Sequence, residues 1–252
     1  MPRTYSAEAL VLKRTNFGEA DRILTFLSKY KGKFTAIAKG VRKVASRRGP
    51  NLELLNHVKV YCSAGKNLDV VTEVQTLNTF RNIKDNLKKI SLGFHIAEIA
   101  NEFLAEGQGA REIFELVLRT LKLLDREERL DKANRILRVF EVKLLDAVGF
   151  RPNFDSCVKC NLVLDKAPLF LSPEFGGLFD KKCSTSSLFV KPVSTDAVKL
   201  LRFFQEESWV KINRLSFPNS LNTETARLLQ FYIEYLLEKE LKSIKFIEKV
   251  DK

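Results

Sequence analysis

The sequence predicts an α+β protein: a five-stranded N-terminal barrel, then an α-helical domain interrupted by a small cysteine-bearing module. Three observations carry this expectation. Apolar residues alternate with a period of two through the first 80 residues and recur at three- and four-residue spacing from Ile83 onward. Between 151 and 189 both rhythms give way to a stretch with three regularly spaced cysteines. The predicted boundaries are 1–80 for the barrel, 81–150 and 190–252 for the two parts of the helical domain, and 151–189 for the module. A chain of 252 residues exceeds the usual single-domain size and accommodates all of them.

The barrel strands are expected at Tyr5 to Lys13, Arg22 to Ser28, Lys33 to Lys39, His57 to Cys62 and Leu68 to Val74, with turn signals NFGEA, KYKGK and SAGKN between several of them. Five short strands in about 75 residues suggest a Greek-key barrel, of which the OB-fold is the common nucleic-acid-binding example. Alternation sorts the faces. Phe34, Ala36 and Ala38 share one side of the third strand, and Lys33, Thr35, Ile37 and Lys39 the other. Phe34 is therefore a core residue rather than a stacking platform. Cys62 falls with Val58 and Val60 on an apolar face and reads as a small buried hydrophobe, outside any metal site.

Charge is concentrated in the same region. The net charge is +12, and from Arg22 to Leu52 nine Lys or Arg residues occur with no acid. Between the third and fourth strands runs AKGVRKVASRRGP, whose glycines and proline resist regular structure and whose cations suit a phosphate backbone. The candidate contacts are Lys31, Lys33, Lys39, Arg42, Lys43, Arg47 and Arg48, with Tyr30 and Phe17 as turn aromatics able to stack on bases. Two other readings fit the same pattern: a solvated basic face, or an adaptor whose barrel binds acidic protein partners.

Helical spacing follows at Ile83 to Leu104, Ile113 to Leu124 and Ile136 to Val148. Gly107 and Gly109 separate the first two, Asp131 is the expected N-cap of the third, and Gly149 its stop. Thr195 to Glu207 and Thr223 to Glu240 continue the pattern. His95 and Glu98 form a His-x-x-Glu step, but no second histidine-bearing helix completes a metal pair, and His57 lies in the barrel. Phosphate-loop, dinucleotide and Ser-His-Asp patterns are missing, so the chain reads as a non-enzyme. No apolar run reaches the roughly 20 residues of a membrane span, and the start lacks a secretory apolar block; a cytoplasmic protein without membrane attachment is expected.

In the module, Cys157-x2-Cys160 is followed after nineteen residues by Asp180-x2-Cys183, which is two-knuckle zinc spacing if position 180 is a ligand. A carboxylate coordinates zinc, though as a harder donor than a thiolate. Two readings stand. One is a closed structural zinc site of three thiolates with Asp180 or another donor. The other is a metal-free module packed by Pro168, Phe170, Phe175 and Leu178.

The stretch YSAEALVLKRTNFGEADRILTFLSKYKGKFTAIAKGVRK resembles the N-terminal barrel of the bacterial RecO family. NLDVVTEVQTLNTF, NRILRVFEVKLLDAVGFRPNFDSCVKC and SPEFGGLFDKKC agree in order and spacing, so the resemblance covers roughly residues 3 to 190. It implies a recombinational DNA repair mediator on the nucleoid with an OB-fold, a helical domain and a zinc-ribbon-like module. Such a protein binds single- and double-stranded DNA, anneals complementary strands covered by single-stranded DNA-binding protein, and works with RecR to load RecA. The resemblance places Lys33, Lys39, Arg42 and Lys43 in the family's basic stretch. Family members carry cysteine where this chain has Asp180.

Overall fold

The computed structural model describes residues 4–108, 111–164 and 168–251. Gly109, one of the two expected helix breakers, lies outside them. The chain divides into two compact units, Met1–Glu127 with Lys242–Lys252, and Glu128–Leu241.

The first unit holds a closed barrel of order β1-β2-β3-β5-β4, formed by β1 (Thr4–Phe17), β2 (Asp21–Ser28), β3 (Gly32–Ala38), β4 (His57–Ser63) and β5 (Asp69–Asn78). Closure follows from the length of β1. Its first half pairs with β4 from Thr4 to Leu10 and its second half with β2 from Ala9 to Phe17, through a bulge after Val11. Val11, Phe26, Phe34, Ala36, Val60 and Val71 point inward, as alternation predicts. Cys62 is fully buried among them, and burial pushes its thiol up to about 11, the behaviour of an inert core residue.

The KYKGK turn is fixed by Gly32. Its φ of +71° is left-handed, and a Cβ there would stand 2.5 Å from the Gln108 carbonyl oxygen. Helices α1 (Arg81–Lys84), α2 (Leu87–Phe103) and α3 (Arg111–Arg126) follow the barrel, and α8 (Lys242–Asp251) returns to pack on α2. The His95 and Glu98 step joins that packing. His95 Nδ1 lies 2.8 Å from Ser243 Oγ, and Glu98 accepts the N–H groups of Lys242 (3.1 Å) and Ser243 (2.8 Å). The carboxylate thereby caps the exposed donors of the α8 N-terminus.

The second unit contains α4 (Leu130–Ala147), α5 (Thr195–Glu206), α6 (Trp209–Arg214), α7 (Asn219–Leu237) and a sheet of order β6-β8-β7-β9. Its strands are β6 (Asn153–Cys157), β7 (Leu169–Ser172), β8 (Gly177–Asp180) and β9 (Lys191–Val193). Asp131 does not cap α4: the N-cap position is Arg129, and Asp131 sits inside the first turn, held by the Arg129 guanidinium at 2.8 and 3.1 Å. There its charge meets the helix dipole and the N–H groups of Lys132 and Asp131 within the first turn. Gly149, with φ +85°, ends the helix as expected. Helix α7 starts four residues before Thr223 and stops at Leu237, where Glu238 turns left-handed. Of the four residues expected to pack the module, Leu178 is buried, Phe170 is half-buried, and Phe175 and Pro168 are exposed; Phe154, Leu171 and Phe179 complete its small core.

Candidate nucleic-acid interface and metal centre

The predicted cations divide by what holds their heads. Lys33 sits on the outward face of β3 and donates to the carbonyls of Asn101 and Leu104, both at 2.6 Å, at the C-terminal end of α2. Lys31 donates to Tyr5 (2.6 Å) and Asp69 (2.8 Å) and lies over the Tyr5 ring. Arg48 bonds the carbonyls of Val71 and Lys39, both at 2.8 Å, and so staples the segment after β3 to the barrel wall. These three side chains are tied to the protein.

Lys39, Lys43 and Arg47 are exposed and make no ion pair among the described residues. Arg42 is exposed as well, and among the described residues its side chain donates to the Gly18 carbonyl alone (3.1 Å). Their loop is a series of turns anchored to the β1–β2 hairpin: Arg42 N–H donates to Ala20 O (2.8 Å) and Gly40 N–H to the Asp21 carboxylate (2.7 Å). That anchoring puts Phe17, 52% exposed, at the same barrel end as the basic loop. Tyr30 is 82% exposed but belongs to the β2–β3 turn, at the other end of β2, about 25 Å away along an eight-residue strand.

Sequence reasoning missed a further positive group. Arg14 and Arg22 both pair with Glu53, and Lys84 donates to the Asn56 side chain nearby. Burial, then the Arg22 charge, lowers the Arg14 guanidinium; burial, then Arg14, lowers the Lys84 ammonium. Two cations thus share one carboxylate, and a third stands close enough for its charge to be felt. The signal was the register of β1 against β2, which alternation alone does not set.

In the second unit, Cys157, Cys160, Asp180 and Cys183 converge, with one ligand atom from each within 4.8 Å of all the others. The strands bring this about. Cys157 ends β6 and Asp180 ends β8, and β6 and β8 are parallel neighbours with Cys157 opposite Leu178. Gly177 permits that approach, since a Cβ there would lie 2.6 Å from the Asn153 carbonyl oxygen. The first knuckle closes through Asn161, left-handed at φ +60°, whose N–H donates to Cys157 O (2.9 Å).

Asp180 divides its carboxylate. One oxygen accepts the Cys183 N–H at 2.8 Å, and the other faces the cluster, 3.0 Å from Cys160 Sγ. Those hydrogen bonds, that of the Cys160 thiol foremost, hold Asp180 at about 2. Burial raises the Cys157 thiol, but N–H groups of Cys160, Asp180 and Lys159 outweigh it and hold the thiol below its usual value. The Asp180 carboxylate raises Cys160, and burial followed by the adjacent thiols raises Cys183 to about 12. Four tetrahedral donors at Zn–S lengths would stand about 3.8 Å apart, so this set can hold a metal ion with little rearrangement. Lys159, Lys181 and Lys182, exposed within the two knuckles, offset the negative charge of such a site.

Comparison with known proteins agrees at both ends. Residues 1–80 match the family model "Recombination protein O N terminal" and residues 84–245 match "Recombination protein O C terminal". A DNA repair protein RecO from Roseiflexus sp. (strain RS-1) is 32% identical, covering 98% of this chain and 86% of its own. Another from Dehalococcoides mccartyi (strain BAV1) is 33% identical over 98% of this chain and 96% of its own.

Proposed function

The chain belongs to the RecO family of DNA repair proteins, and from that premise we propose that it is a non-enzymatic recombination mediator acting in the cytoplasm. It binds single- and double-stranded DNA through the basic loop of its OB-fold barrel and anneals complementary strands. With RecR it helps load RecA onto DNA coated with single-stranded DNA-binding protein. The observation that carries this reading is the loop itself, with Lys39, Arg42, Lys43 and Arg47 exposed at one barrel end and without a carboxylate partner among the described residues. Two complementary strands repel through their phosphates, and a surface that neutralises both lowers the repulsion while releasing counterions. No nucleotide hydrolysis is needed.

Zinc is the ion proposed for Cys157, Cys160, Asp180 and Cys183, because three thiolates select a soft or borderline cation. When bound it would supply structure, cross-linking β6 to β8.

Fluorescence-monitored annealing of complementary oligonucleotides, with and without the cognate single-stranded DNA-binding protein, tests the reading across a salt series. Acceleration on coated strands, with a binding slope of about −0.7 per phosphate contact, is the expected result. No acceleration at low salt would favour the adaptor reading, with acidic protein tails as the ligand of the loop. A second expectation separates architecture from recognition. Lys33→Met removes two charge-assisted hydrogen bonds to the end of α2 and should lower stability by about 1.5–3 kcal/mol while leaving the salt slope unchanged. Denaturant melts and binding titrations of one preparation read both; a flattened slope with unchanged stability would move Lys33 to the DNA.

A further inference from the structure

We propose that the groove between β9 and the outer face of α7 is a second binding site for single-stranded nucleic acid, distinct from the barrel loop. The proposal rests on the annealing reading, to which it adds a place for the second strand. Arg227, Phe231 and Tyr235 recur at four-residue steps and so share one face of α7, spanning about 12 Å. Facing them from β9 and the residues before it are Lys191 and Phe189. The Lys191 ammonium lies 4.5 Å from the Phe231 ring centroid, and Phe189, 49% exposed, stands 5.2 Å from Tyr235 at a 58° tilt. Two cations and three rings therefore line the groove, a combination that grips phosphates while bases stack.

Its acids are engaged elsewhere. Glu224 accepts both the N–H and the hydroxyl of Ser194 at 2.8 Å, capping the start of α5, and Glu234 accepts the Leu241 N–H at 3.1 Å and the Gln230 amide at 3.3 Å. Lys191 and Arg227 make no ion pair among the described residues. Those bonds turn both carboxylates toward neutral donors, and the Lys191 and Arg227 heads, free of ion pairs, remain available to phosphate oxygens. A peptide ligand fits less well. β9 is an edge strand, but Pro192 at its centre has no N–H, so an extended peptide cannot add there as a further strand.

The test uses the full chain and two non-complementary 20-nucleotide strands carrying donor and acceptor dyes. In wild type both strands should bind one molecule and give energy transfer. The double variant Lys191→Glu/Arg227→Glu alters exposed side chains only. It should hold the first strand with unchanged affinity and bind the second about tenfold more weakly, with a salt slope shallower by about 1.4. Lys191→Arg alone should keep the two-strand signal. An undiminished signal in the double variant overturns the second site. So does loss of binding to a short acidic peptide while both strands stay bound, since the groove would then be a peptide site. The barrel reading fails separately, if Lys39→Ala/Arg42→Ala/Lys43→Ala leaves the first strand unaffected.

Discussion

Replacing Cys157 by serine is expected to abolish stoichiometric zinc binding and to lower the stability of the second unit by about 4 kcal/mol. The argument starts from burial. Cys157 is fully buried at the end of β6, and its sulfur is one of four donors that already converge. An ion held at a free concentration about a thousandfold above its dissociation constant stabilises the folded form by about 4.1 kcal/mol, and removing one donor of four forfeits that linkage. The small sheet has few apolar residues to replace it, because Phe175 and Pro168 face solvent. Metal content by atomic absorption and thermal melting, each with and without a chelator, check the prediction. Chelated wild type should melt together with Cys157→Ser. A wild type that is purified without metal, and whose melt ignores the chelator, would sink the zinc assignment. Asp180→Cys should bind zinc more tightly, as a softer fourth donor, and Asp180→Ala more weakly.

The barrel was legible because period-two alternation and its turn residues act locally. Phe34, Ala36 and Ala38 lie inside and Cys62 is buried, as their strand positions imply. The convergence of Cys157, Cys160, Asp180 and Cys183 was legible from spacing once position 180 is counted as a ligand, because two x2 steps make knuckles where the chain is held parallel, as β6 and β8 hold it. What stayed hidden depends on contacts between distant segments. Sequence gives Lys31, Lys33 and Arg48 the same charge as Lys39 and Lys43, and only the fold reveals that the first three donate to Asp69, the end of α2 and the β5 backbone. Helix α8 went unread because its start is secured by Glu98, some 145 residues earlier. The short strands β6 to β9, three to five residues each, offer too little alternation to register as a period.

Substituting Lys39, Arg42 and Lys43 together with alanine should flatten the salt dependence of oligonucleotide binding by about 2 units of log–log slope, near 0.7 for each phosphate contact removed. All three are exposed, Lys39 and Lys43 have no ion pair among the described residues, and the Arg42 bond to Gly18 is a single hydrogen bond at a turn, so folding should be little affected. Over a fourfold rise in salt, a slope difference of 2 amounts to about 16-fold in relative affinity. The variant should therefore differ most from wild type at low salt and converge on it as salt rises. Arg47→Ala, one turn further along the loop, should add about 0.7 if the strand follows the loop, and nothing if it leaves toward Phe17. Tyr30→Ala, at the opposite barrel end, should leave the slope unchanged, because stacking displaces no counterions. Titrations at four salt concentrations distinguish these cases. An unaltered slope in the triple variant would remove the loop as the DNA site and leave the Arg14, Arg22 and Lys84 group as the barrel's remaining concentration of positive charge.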